Sequence, residues 1–525
     1  MTLDHLTVAS LLLVLTAPAL PAQDLLYAFR GESTSDYFGS GLALVDDLDG
    51  DGWDDLFVGA PGYGNTDQGR AYLYSGRTGQ IIYFIDGDID QYLRGDYFGA
   101  SGSSAGDLDQ DGVNDFMIGS IQGGIVDEGD VNVYSGRSGA WLRRYFGAYN
   151  GDAFTLTQLV ADVDADGFPD HLIGAPGWAP CCGDTSKGKV YLYSGRTGTL
   201  LRDFKGEKEY DDFGSRLADA GDIDGDGVSD FAISAQLSVF PDNERGKVYV
   251  YSGKTLTLIY ARKGTDDYQN LNAPVGLGDL DGDGYGELLV GGPGSSGFTG
   301  AVYIYSGPSG ELMHTIDGQG EITDQFGFSV ANAGDANGDG HTDFLVGEPY
   351  GGGNQDLGRA YLYSGRSLRL LHVFAADRYE LLSFGLSTAG DINDDGINDF
   401  MVSAPYSSSG GGVYVYSGND LFLQAERTEV SEGDTLRLIT RGGYPRALMH
   451  LFLVEISGNP VHVPLVAARL DQYGEHTFEA VIPPGLSGLV LELQSFAEKP
   501  GPPGGSSISL RAGLADSALV KVRIL

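Results

Sequence analysis

Cysteine and basic side chains are both scarce in this sequence. The two cysteines, Cys181 and Cys182, are adjacent, which excludes a disulfide framework and leaves open a strained vicinal bridge or a pair of loop thiols. No zinc-binding or redox spacing is present. Lys and Arg number 32 against 73 Asp and Glu, so the formal net charge is −41. Because a phosphate backbone would be repelled by this charge, we predict no nucleic-acid partner.

Long apolar segments are absent beyond the N-terminus. The stretch LTVASLLLVLTAPALPAQ, residues 6–23, contains an apolar run too short to cross a bilayer, followed by small residues and prolines. It predicts a signal peptide over residues 1–22, cleaved near Ala22, with an N-terminal anchor as the alternative because MTLDH carries no basic residue. We therefore expect a mature chain without a transmembrane segment that is secreted, periplasmic or held at the cell surface.

Glycine and aromatic residues are abundant instead. The chain has 82 Gly, 30 Tyr and 24 Phe, a composition typical of many short strands joined by tight turns. Glycine shows no period of three, which excludes collagen. Hydrophobic residues make up 42% of the chain, so the acidity is not that of a disordered polypeptide.

A nine-residue acidic turn occurs seven times, with successive starts 55 to 60 residues apart. The copies are DLDGDGWDD at 47, DLDQDGVND at 107, DVDADGFPD at 162, DIDGDGVSD at 222, DLDGDGYGE at 279, DANGDGHTD at 335 and DINDDGIND at 391. Phe-Gly precedes five of them, at Phe38, Phe98, Phe213, Phe326 and Phe384. A segment such as DLFVGAP follows each turn, and then one such as GRAYLYSGRTG.

Each repeat predicts four strands. In AYLYSG, Ala71 and Leu73 point to one face and Tyr72 and Tyr74 to the other, so both faces need covering. Four-stranded sheets covered on both faces by their neighbours form a propeller, and we predict an all-β, seven-bladed β-propeller over residues 24–418. Eight runs resemble a fourth strand, and residues 24–31 fit the pattern better than 420–426. We therefore expect residues 24–31 to complete the last blade.

The acidic turns predict Ca²⁺ sites. Side-chain oxygens at positions 1, 3, 5 and 9 and the carbonyl of position 7 would surround a hard cation, with Gly at position 6 for the sharp bend. Asp, Asn and Gly also mark ordinary turns, but an acid at position 9 in all seven copies favours calcium. The ligand positions are Asp47, Asp49, Asp51, Trp53, Asp55; Asp107, Asp109, Asp111, Val113, Asp115; Asp162, Asp164, Asp166, Phe168, Asp170; Asp222, Asp224, Asp226, Val228, Asp230; Asp279, Asp281, Asp283, Tyr285, Glu287; Asp335, Asn337, Asp339, His341, Asp343; and Asp391, Asn393, Asp395, Ile397, Asp399.

The turns are not EF-hands. Position 12 of the first is Val58 rather than Glu, and the chain continues into a strand. Asn337 and Asn393 replace Asp at position 3 of the last two turns, which keeps an oxygen but removes a charge. We expect those two sites to bind more weakly.

The order Phe-Gly, acidic turn and Gly-Ala-Pro resembles the FG-GAP repeats of the integrin alpha-subunit propeller and of many secreted bacterial proteins. The resemblance covers residues 24–418. It implies calcium turns between the first and second strands of each blade and ligand recognition on the opposite rim or face. Departures are AFTLTQL in repeat three, YQNLNAPVG in repeat five, and GSI and SAQ for Gly-Ala-Pro in repeats two and four.

Other motifs predict no chemistry. Arg94 to Asp96 spells RGD, but Asp96 matches Asp36 and Asp212 just before Phe-Gly in other repeats. GSSAG at Gly102 fits a nucleophile elbow, yet Ser104 falls in a predicted first strand rather than before a helix. The eight His form no metalloprotease motif. We therefore predict a protein that is not an enzyme.

The C-terminal segment, residues 419–525, lacks the repeat. Its short apolar runs predict a small β-sandwich that attaches the propeller to a surface or caps it. The whole chain is interpreted as a secreted, calcium-binding adhesion or ligand-binding module for an extracellular protein or glycan. The alternatives are an extracellular polysaccharide lyase or hydrolase built on a propeller, and a structural component of an envelope or matrix.

Overall fold

The computed structural model describes residues 25–418 except for 89–94, 125–127, 180–185, 237–244, 266–267, 319–322, 338–339, 352–356, 376–379, 395 and 408–409. Beyond residue 418 it describes the backbone of separate strands. The predicted signal peptide, the cysteine pair, Arg94, Asp339 and Asp395 lie outside the described residues.

Seven four-stranded antiparallel sheets form the propeller. Blades one to three are β2(Leu42–Val45), β3(Asp55–Ala60), β4(Arg70–Tyr74), β5(Ile81–Asp86); β6(Phe98–Gly106), β7(Asp115–Ser120), β8(Asp130–Tyr134), β9(Trp141–Phe146); and β10(Leu156–Val160), β11(Asp170–Ala175), β12(Lys189–Tyr193), β13(Leu200–Lys205). Blades four to six are β14(Phe213–Gly221), β15(Asp230–Ala235), β16(Lys247–Tyr251), β17(Leu258–Lys263); β18(Asn272–Gly278), β19(Glu287–Gly292), β20(Ala301–Tyr305), β21(Leu312–Asp317); and β22(Val330–Gly334), β23(Asp343–Glu348), β24(Arg359–Tyr363), β25(Leu370–Ala375). A single turn, α1(Ser295–Phe298), follows β19.

The seventh blade joins the two ends of the repeat array. It contains β26(Leu386–Gly390), β27(Asp399–Ser403), β28(Gly412–Tyr416) and, as its fourth strand, β1(Leu25–Arg30). β1 runs antiparallel to β28, with Phe29 opposite Val413 and Leu25 opposite Tyr416. The predicted closure through the N-terminal strand is therefore present.

Second strands supply the cores between blades. All six residues of β3 are buried, because its two faces pack against different neighbours. Leu56 and Val58 join a cluster with Met401 of blade seven, whereas Phe57 joins one with Phe116 of blade two. This alternation with a period of two makes every blade depend on both adjacent blades.

The Phe of Phe-Gly is a buried bridge to the preceding blade. Phe38, Phe98, Phe213 and Phe326 bridge Gly411, Gly69, Gly188 and Gly300, and Leu271 and Leu382 bridge Gly246 and Gly358 in the same way. In blade three, Phe154 is equally buried, and its N–H donates to the carbonyl of Glu128 at 3.2 Å.

The assignment of Phe384-Gly385 to this position is wrong. Leu382 occupies the position that Phe38 occupies in blade one, and Ser383 occupies that of Gly39. Ser383 keeps the positive φ, which is 72° at Ser383 and 96° at Gly39. Both Ser383 and Gly39 donate their N–H to the second strand, at 2.8 Å in each case. Phe384, two residues after Leu382, instead packs against Phe328, with ring centroids 4.8 Å apart. Strand pairing, not the letters Phe-Gly, defines the position.

A buried polar residue lies two positions before each bridging Phe or Leu. In blade one it closes a turn, since Asp36 Oδ2 accepts the N–H groups of Glu32 at 2.8 Å and Ser33 at 2.6 Å. Asp152, Asp211 and Gln269 accept backbone N–H groups three or four positions earlier in the same way. The other members are Asp96, Asp152, Asp211, Gln269, Asp324 and Glu380, all buried. The match to Asp212 is wrong, because Asp211 occupies the turn. Asp96 is only 8% exposed, so the repeat accounts for it.

Ser104 lies within β6 and donates from Oγ to Asp46 Oδ2 at 3.0 Å. The strand continues to Gly106 and leads into an acidic turn. A nucleophile elbow needs a strand followed by a helix, so Ser104 does not occupy one.

Eight further strands follow the propeller: β29(Phe422–Ala425), β30(Glu429–Val430), β31(Thr435–Arg441), β32(Leu448–Ile456), β33(Asn459–Arg469), β34(His476–Val481), β35(Val490–Glu498) and β36(Leu514–Ile524). They pair as β29-β31-β34 and β30-β36-β35-β32-β33. The sandwich, its role and the domain boundary at residue 419 stay predictions. Within the described parts of the chain, no helix has the length and apolar character needed to span a bilayer.

His171 introduces a pH-sensitive group into the core. It is 0% exposed, with Tyr145 Oη 3.0 Å from Nδ1 and the Ala105 carbonyl 3.0 Å from Nε2, so the neutral ring is satisfied. Burial lowers its pKa from 6.5 to about 4. The unfolded chain therefore takes up a proton between those values that the folded chain excludes, and stability present above pH 6.5 is lost as the pH falls toward 4.

We predict that His171→Leu flattens the dependence of stability on pH. Leu stands at the same place in blades one and five, as Leu56 and Leu288. Urea unfolding at pH 7 and pH 4.5 with saturating Ca²⁺ should show the wild type losing about 2–3 kcal/mol more than the variant. Identical losses in the two proteins would contradict this role.

Candidate metal centres

All seven acidic turns connect the first and second strands of a blade. Position 9 of each turn is the first residue of the second strand, namely Asp55, Asp115, Asp170, Asp230, Glu287, Asp343 and Asp399. Because every blade has the same strand order, the turns lie together on one face of the propeller. The loops between second and third strands lie on the opposite face.

Position 1 shapes the bend. In the first turn, Asp47 Oδ1 accepts the N–H groups of Gly50 at 2.7 Å and Asp51 at 3.0 Å, and Oδ2 accepts that of Gly52 at 2.8 Å. Gly52 has φ +94°, a conformation that glycine adopts without strain. Position 1 accepts the N–H of position 6 in the other six turns as well. The acidic residues therefore fold their own backbone around the site.

Position 9 ties the turn to a second loop of the same blade. Asp55 is buried, and its Oδ2 accepts the N–H of Leu48 at 2.7 Å while Oδ1 accepts that of Gly76 at 3.0 Å. The same pair of bonds recurs at Asp115, Asp170, Asp230 and Asp399. At Asp55, Asp115 and Asp170 each carboxylate oxygen accepts one of these bonds and retains a lone pair for a cation.

The glycine that ends each Tyr-Ser-Gly motif is a partner that the sequence analysis did not identify. Gly76, in the loop between β4 and β5, donates to Asp55, and Gly195 donates to Asp170 at 2.9 Å. Recurrence of Tyr-Ser-Gly in all seven repeats is the signal that could have pointed to it. In six of the seven blades, position 9 thus links the acidic turn to the loop between the third and fourth strands.

Oxygens from separate positions converge in five turns. The groups are Asp47, Asp49, Asp55; Asp107, Asp109, Asp115; Asp162, Asp164, Asp166; Asp222, Asp224, Asp230; and Asp279, Asp281, Glu287, each with one oxygen per residue within 4.8 Å of the others. Positions 1, 3 and 9 therefore meet in four turns, and positions 1, 3 and 5 in the third. All donors are carboxylates, a set that suits a hard divalent cation.

Turns six and seven differ at position 3. The Asn337 amide nitrogen donates to Asp343 Oδ1 at 3.3 Å, and that of Asn393 donates to Asp399 Oδ1, also at 3.3 Å. An amide donor now faces the position 9 carboxylate where a second carboxylate faces it in the other turns. Repulsion at position 9 is therefore weaker in these two turns, and a bound cation would stabilise them less.

Crowding changes the electrostatics of position 9. Burial, and then repulsion from Asp49, raises the pKa of Asp55 to about 7 although two backbone N–H bonds oppose the change. The pKa of Glu287 rises to about 7, and those of Asp115, Asp170 and Asp230 to about 6, again chiefly through burial. A cation at the convergence point would offset both effects.

Position 5 has a different environment. Its Oδ1 accepts the N–H of position 7, at 3.1 Å for Asp51 and Trp53. A basic residue after Tyr-Ser-Gly reaches back to it in three blades: Arg137 donates to the Asp111 carbonyl at 3.0 Å, Arg196 to that of Asp166 at 3.0 Å and Lys254 to that of Asp226 at 2.7 Å. These cations contact position 5 and leave positions 1, 3 and 9 open.

Position 7 varies because its side chain lies outside the convergence point. Trp53 stacks under the Arg77 guanidinium, 3.9 Å from the ring centroid, whereas Ile397 is buried. Val113, Phe168, Val228 and Tyr285 each donate a backbone N–H to position 5. The carbonyl of position 7, including that of His341, stays a predicted ligand.

One orphaned oxygen tests whether a cation fits. Glu287 is 0% exposed, and its Oε2 accepts the N–H of Leu280 at 2.8 Å. Its Oε1 is buried and has no hydrogen-bond partner among the described residues. A buried anionic oxygen without a partner is costly, and a cation shared with Asp279 and Asp281 would satisfy it. The residues present therefore fit a divalent ion.

Comparison with known proteins gives six matches to the FG-GAP repeat, at residues 38–74, 159–193, 214–251, 275–305, 326–363 and 385–416. Blade two has no match but folds in the same way. Integrin alpha-5 of Xenopus laevis is 34% identical over 29% of this chain and 16% of its own length. Integrin alpha-8 of Homo sapiens is 30% identical over 41% of this chain and 20% of its own length. The chain thus spans a fifth or less of these curated relatives.

Among solved structures, the Dos1 propeller aligns with a TM-score of 0.42 and 13% identity, covering 69% of this chain and 74% of that one. The assignment instead rests on the six repeats, the integrin alpha similarity and the seven-bladed architecture. The chain is an FG-GAP repeat, integrin-alpha-like β-propeller.

Proposed function

We propose that this protein is an extracellular, Ca²⁺-loaded adhesion or ligand-binding module. The observation that carries the metal assignment is the convergence of carboxylate oxygens in five acidic turns, with the buried, partnerless Oε1 of Glu287 in one of them. Positions 1, 3 and 9 would hold the ion, with position 5 in the third turn. Bound Ca²⁺ would supply positive charge to carboxylates that otherwise repel one another.

The chain's own residues make such a site structural. Position 1 fixes the bend, and position 9 anchors it to the Tyr-Ser-Gly loop through a second oxygen. An ion shared by both positions would link the first strand of a blade to the loop between its third and fourth strands. It would therefore stiffen one whole face of the propeller.

The opposite face is the proposed ligand surface. It carries the loops between second and third strands, which differ between blades: residues 61–69 in blade one and 176–188 in blade three separate the same two strands. The acidic turns recur in every blade, whereas the loops on the opposite face vary, which favours recognition by the variable loops. Similarity to integrin alpha-5 and integrin alpha-8 supports an adhesion-type role, with an extracellular protein or glycan as the partner.

A binding screen tests this function. The purified chain would be applied to arrays of glycans and extracellular proteins in millimolar Ca²⁺ and again with chelator. We expect saturable retention that the chelator abolishes and that yields no reaction product. Turnover of a polysaccharide would favour a lyase or hydrolase instead, and retention that ignores the chelator would contradict the metal-dependent mechanism.

Glu287→Gln isolates a single metal site. The amide keeps an oxygen for the Leu280 N–H but removes the charge that would face the ion, so we expect that site to weaken at least tenfold. Metal analysis and calorimetry at limiting Ca²⁺ should show one ion fewer per chain. The control is Glu311→Gln, an exposed residue of the same blade. Equal ion counts in wild type and Glu287→Gln would contradict the assignment.

A further inference from the structure

The inner strands enclose a central cavity of about 1110 Å³. Its walls come from the first strand of each blade, and a comparable layer of residues can be identified in all seven. This layer lies six positions before the first residue of each acidic turn. In six blades it holds a neutral residue: Gly41, Ser101, Leu156, Ala273, Ser329 or Gly385.

In blade four this layer holds Arg216. The other six members carry no charge, and Ser101 and Ser329 donate to backbone carbonyls of the next blade at 2.5 Å and 2.7 Å. Arg216 is too long for that arrangement and lies in the cavity wall, open to solvent within the cavity but ringed by protein. The pairing of β14 with β15 shifts between Phe213 and Leu217, so a bulge places this residue.

The Arg216 guanidinium has little to pair with. Nη1 donates to the Ser215 carbonyl at 3.0 Å, and within the described residues no carboxylate forms an ion pair with it. It is the only Lys or Arg among the described residues that line the cavity. The acidic lining residues Asp54, Asp219 and Asp391 belong to the end that carries the acidic turns, and Asp219 already accepts the N–H of Gly221 at 2.9 Å.

The Arg216 guanidinium faces the solvent of the cavity without a carboxylate partner among the described residues. Withdrawal from bulk water lowers the pKa of Arg216, with no opposing charge to restore it. The chain has a net charge of −41, yet no acidic residue among those described lies within ion-pair distance of Arg216. Four of its five N–H donors remain available in a fork that matches a carboxylate.

We propose that the central cavity binds a small carboxylate-bearing molecule through Arg216. The cavity is large enough for a small molecule, since sites for such molecules commonly have volumes of about 300–1,000 Å³. Phe384, at the end of the cavity remote from the acidic turns, offers an apolar surface to the body of the molecule. The anion would enter from that end, because Asp54, Asp219 and Asp391 repel it at the other. Of the predicted calcium ligands that the structure describes, only Asp391 lines this cavity.

Calorimetry with acetate, succinate, benzoate and glucuronate, at saturating Ca²⁺, tests the site. Glucose serves as the neutral counterpart of glucuronate. We expect at least one of the four carboxylates to bind wild type at one per chain, and glucuronate to bind more tightly than glucose. Arg216→Gln should weaken the bound carboxylate at least tenfold, whereas Arg202→Gln, an exposed residue of blade three, should not.

Thermal melting separates binding from a structural role. Because the guanidinium is unpaired, Arg216→Gln should melt at the wild-type temperature or above it without ligand. A clear drop in melting temperature would show that Arg216 stabilises the fold and would overturn the proposal. The proposal would also be overturned if wild type bound none of the four carboxylates, or if the Arg216→Gln variant bound them as tightly as wild type.

Discussion

Removing Ca²⁺ from the purified chain with a chelator should lower its melting temperature by about 2–14 °C. At affinities of about 10⁻⁴ to 10⁻³ M, millimolar Ca²⁺ stabilises one site by roughly 0.4–1.4 kcal/mol. Five turns bring their carboxylates together, so the contributions add to roughly 2–7 kcal/mol. A propeller of this size melts about 1–2 °C lower for each kcal/mol lost.

Calorimetric melting scans with Ca²⁺, Mg²⁺ or chelator, all at the same ionic strength, would measure this effect. Mg²⁺ should restore only part of the lost stability, since it prefers to keep its waters. High salt alone should restore little, because the position 9 carboxylates are buried and weakly screened. A melting temperature that is the same in chelator and in Ca²⁺ would refute the metal assignment.

Phe29→Ala should destabilise the propeller by about 3–5 kcal/mol, because Phe29 holds the ring closed. Its side chain is 8% exposed and stacks on Tyr74 of blade one, with ring centroids 4.1 Å apart. It also belongs to the cluster that contains Val413 and Val415 of β28. Truncating it opens a void between the first and last blades.

Ile81→Ala is the matched control. Ile81 lies in β5, the fourth strand of blade one, but is 50% exposed, so its truncation should cost less than about 1 kcal/mol. Urea unfolding in saturating Ca²⁺ compares the two. Deleting residues 25–31 altogether should leave the edge of β28 unpaired and promote aggregation. If Phe29→Ala and Ile81→Ala lost the same stability, closure through β1 would not govern the fold.

The fold was largely predictable from the sequence because its signals repeat. Seven acidic turns at nearly constant spacing fixed the number of blades, and the alternation in AYLYSG indicated sheets covered on both faces. Errors arose where one repeat departs from the rest. Leu382 replaces the bridging Phe, and the nearby Phe384-Gly385 imitates the motif two residues too late. The bridge from Leu382 to Gly358 and the hydrogen bond from the Ser383 N–H to Ser403 reveal the shift.

The candidate sites were predictable to different degrees. Ligand positions within a nine-residue turn are local, so spacing alone indicated them. The second bond of position 9, to a glycine in another loop such as Gly76, needs the fold of the blade. The fourth repeat alone does not single out Arg216. Only a comparison of the seven inner strands around the cavity shows that the other six hold a neutral residue in this layer.

The pairing of β1 with β28 has a consequence for biosynthesis. Leu25 and Tyr416 are partners in one sheet although nearly the whole propeller lies between them in the chain. A nascent polypeptide would have to keep its first strand unpaired until its last blade emerges, and closing so long a loop is slow. Chaperones that shield the first strand until the last blade is complete would therefore help this protein most.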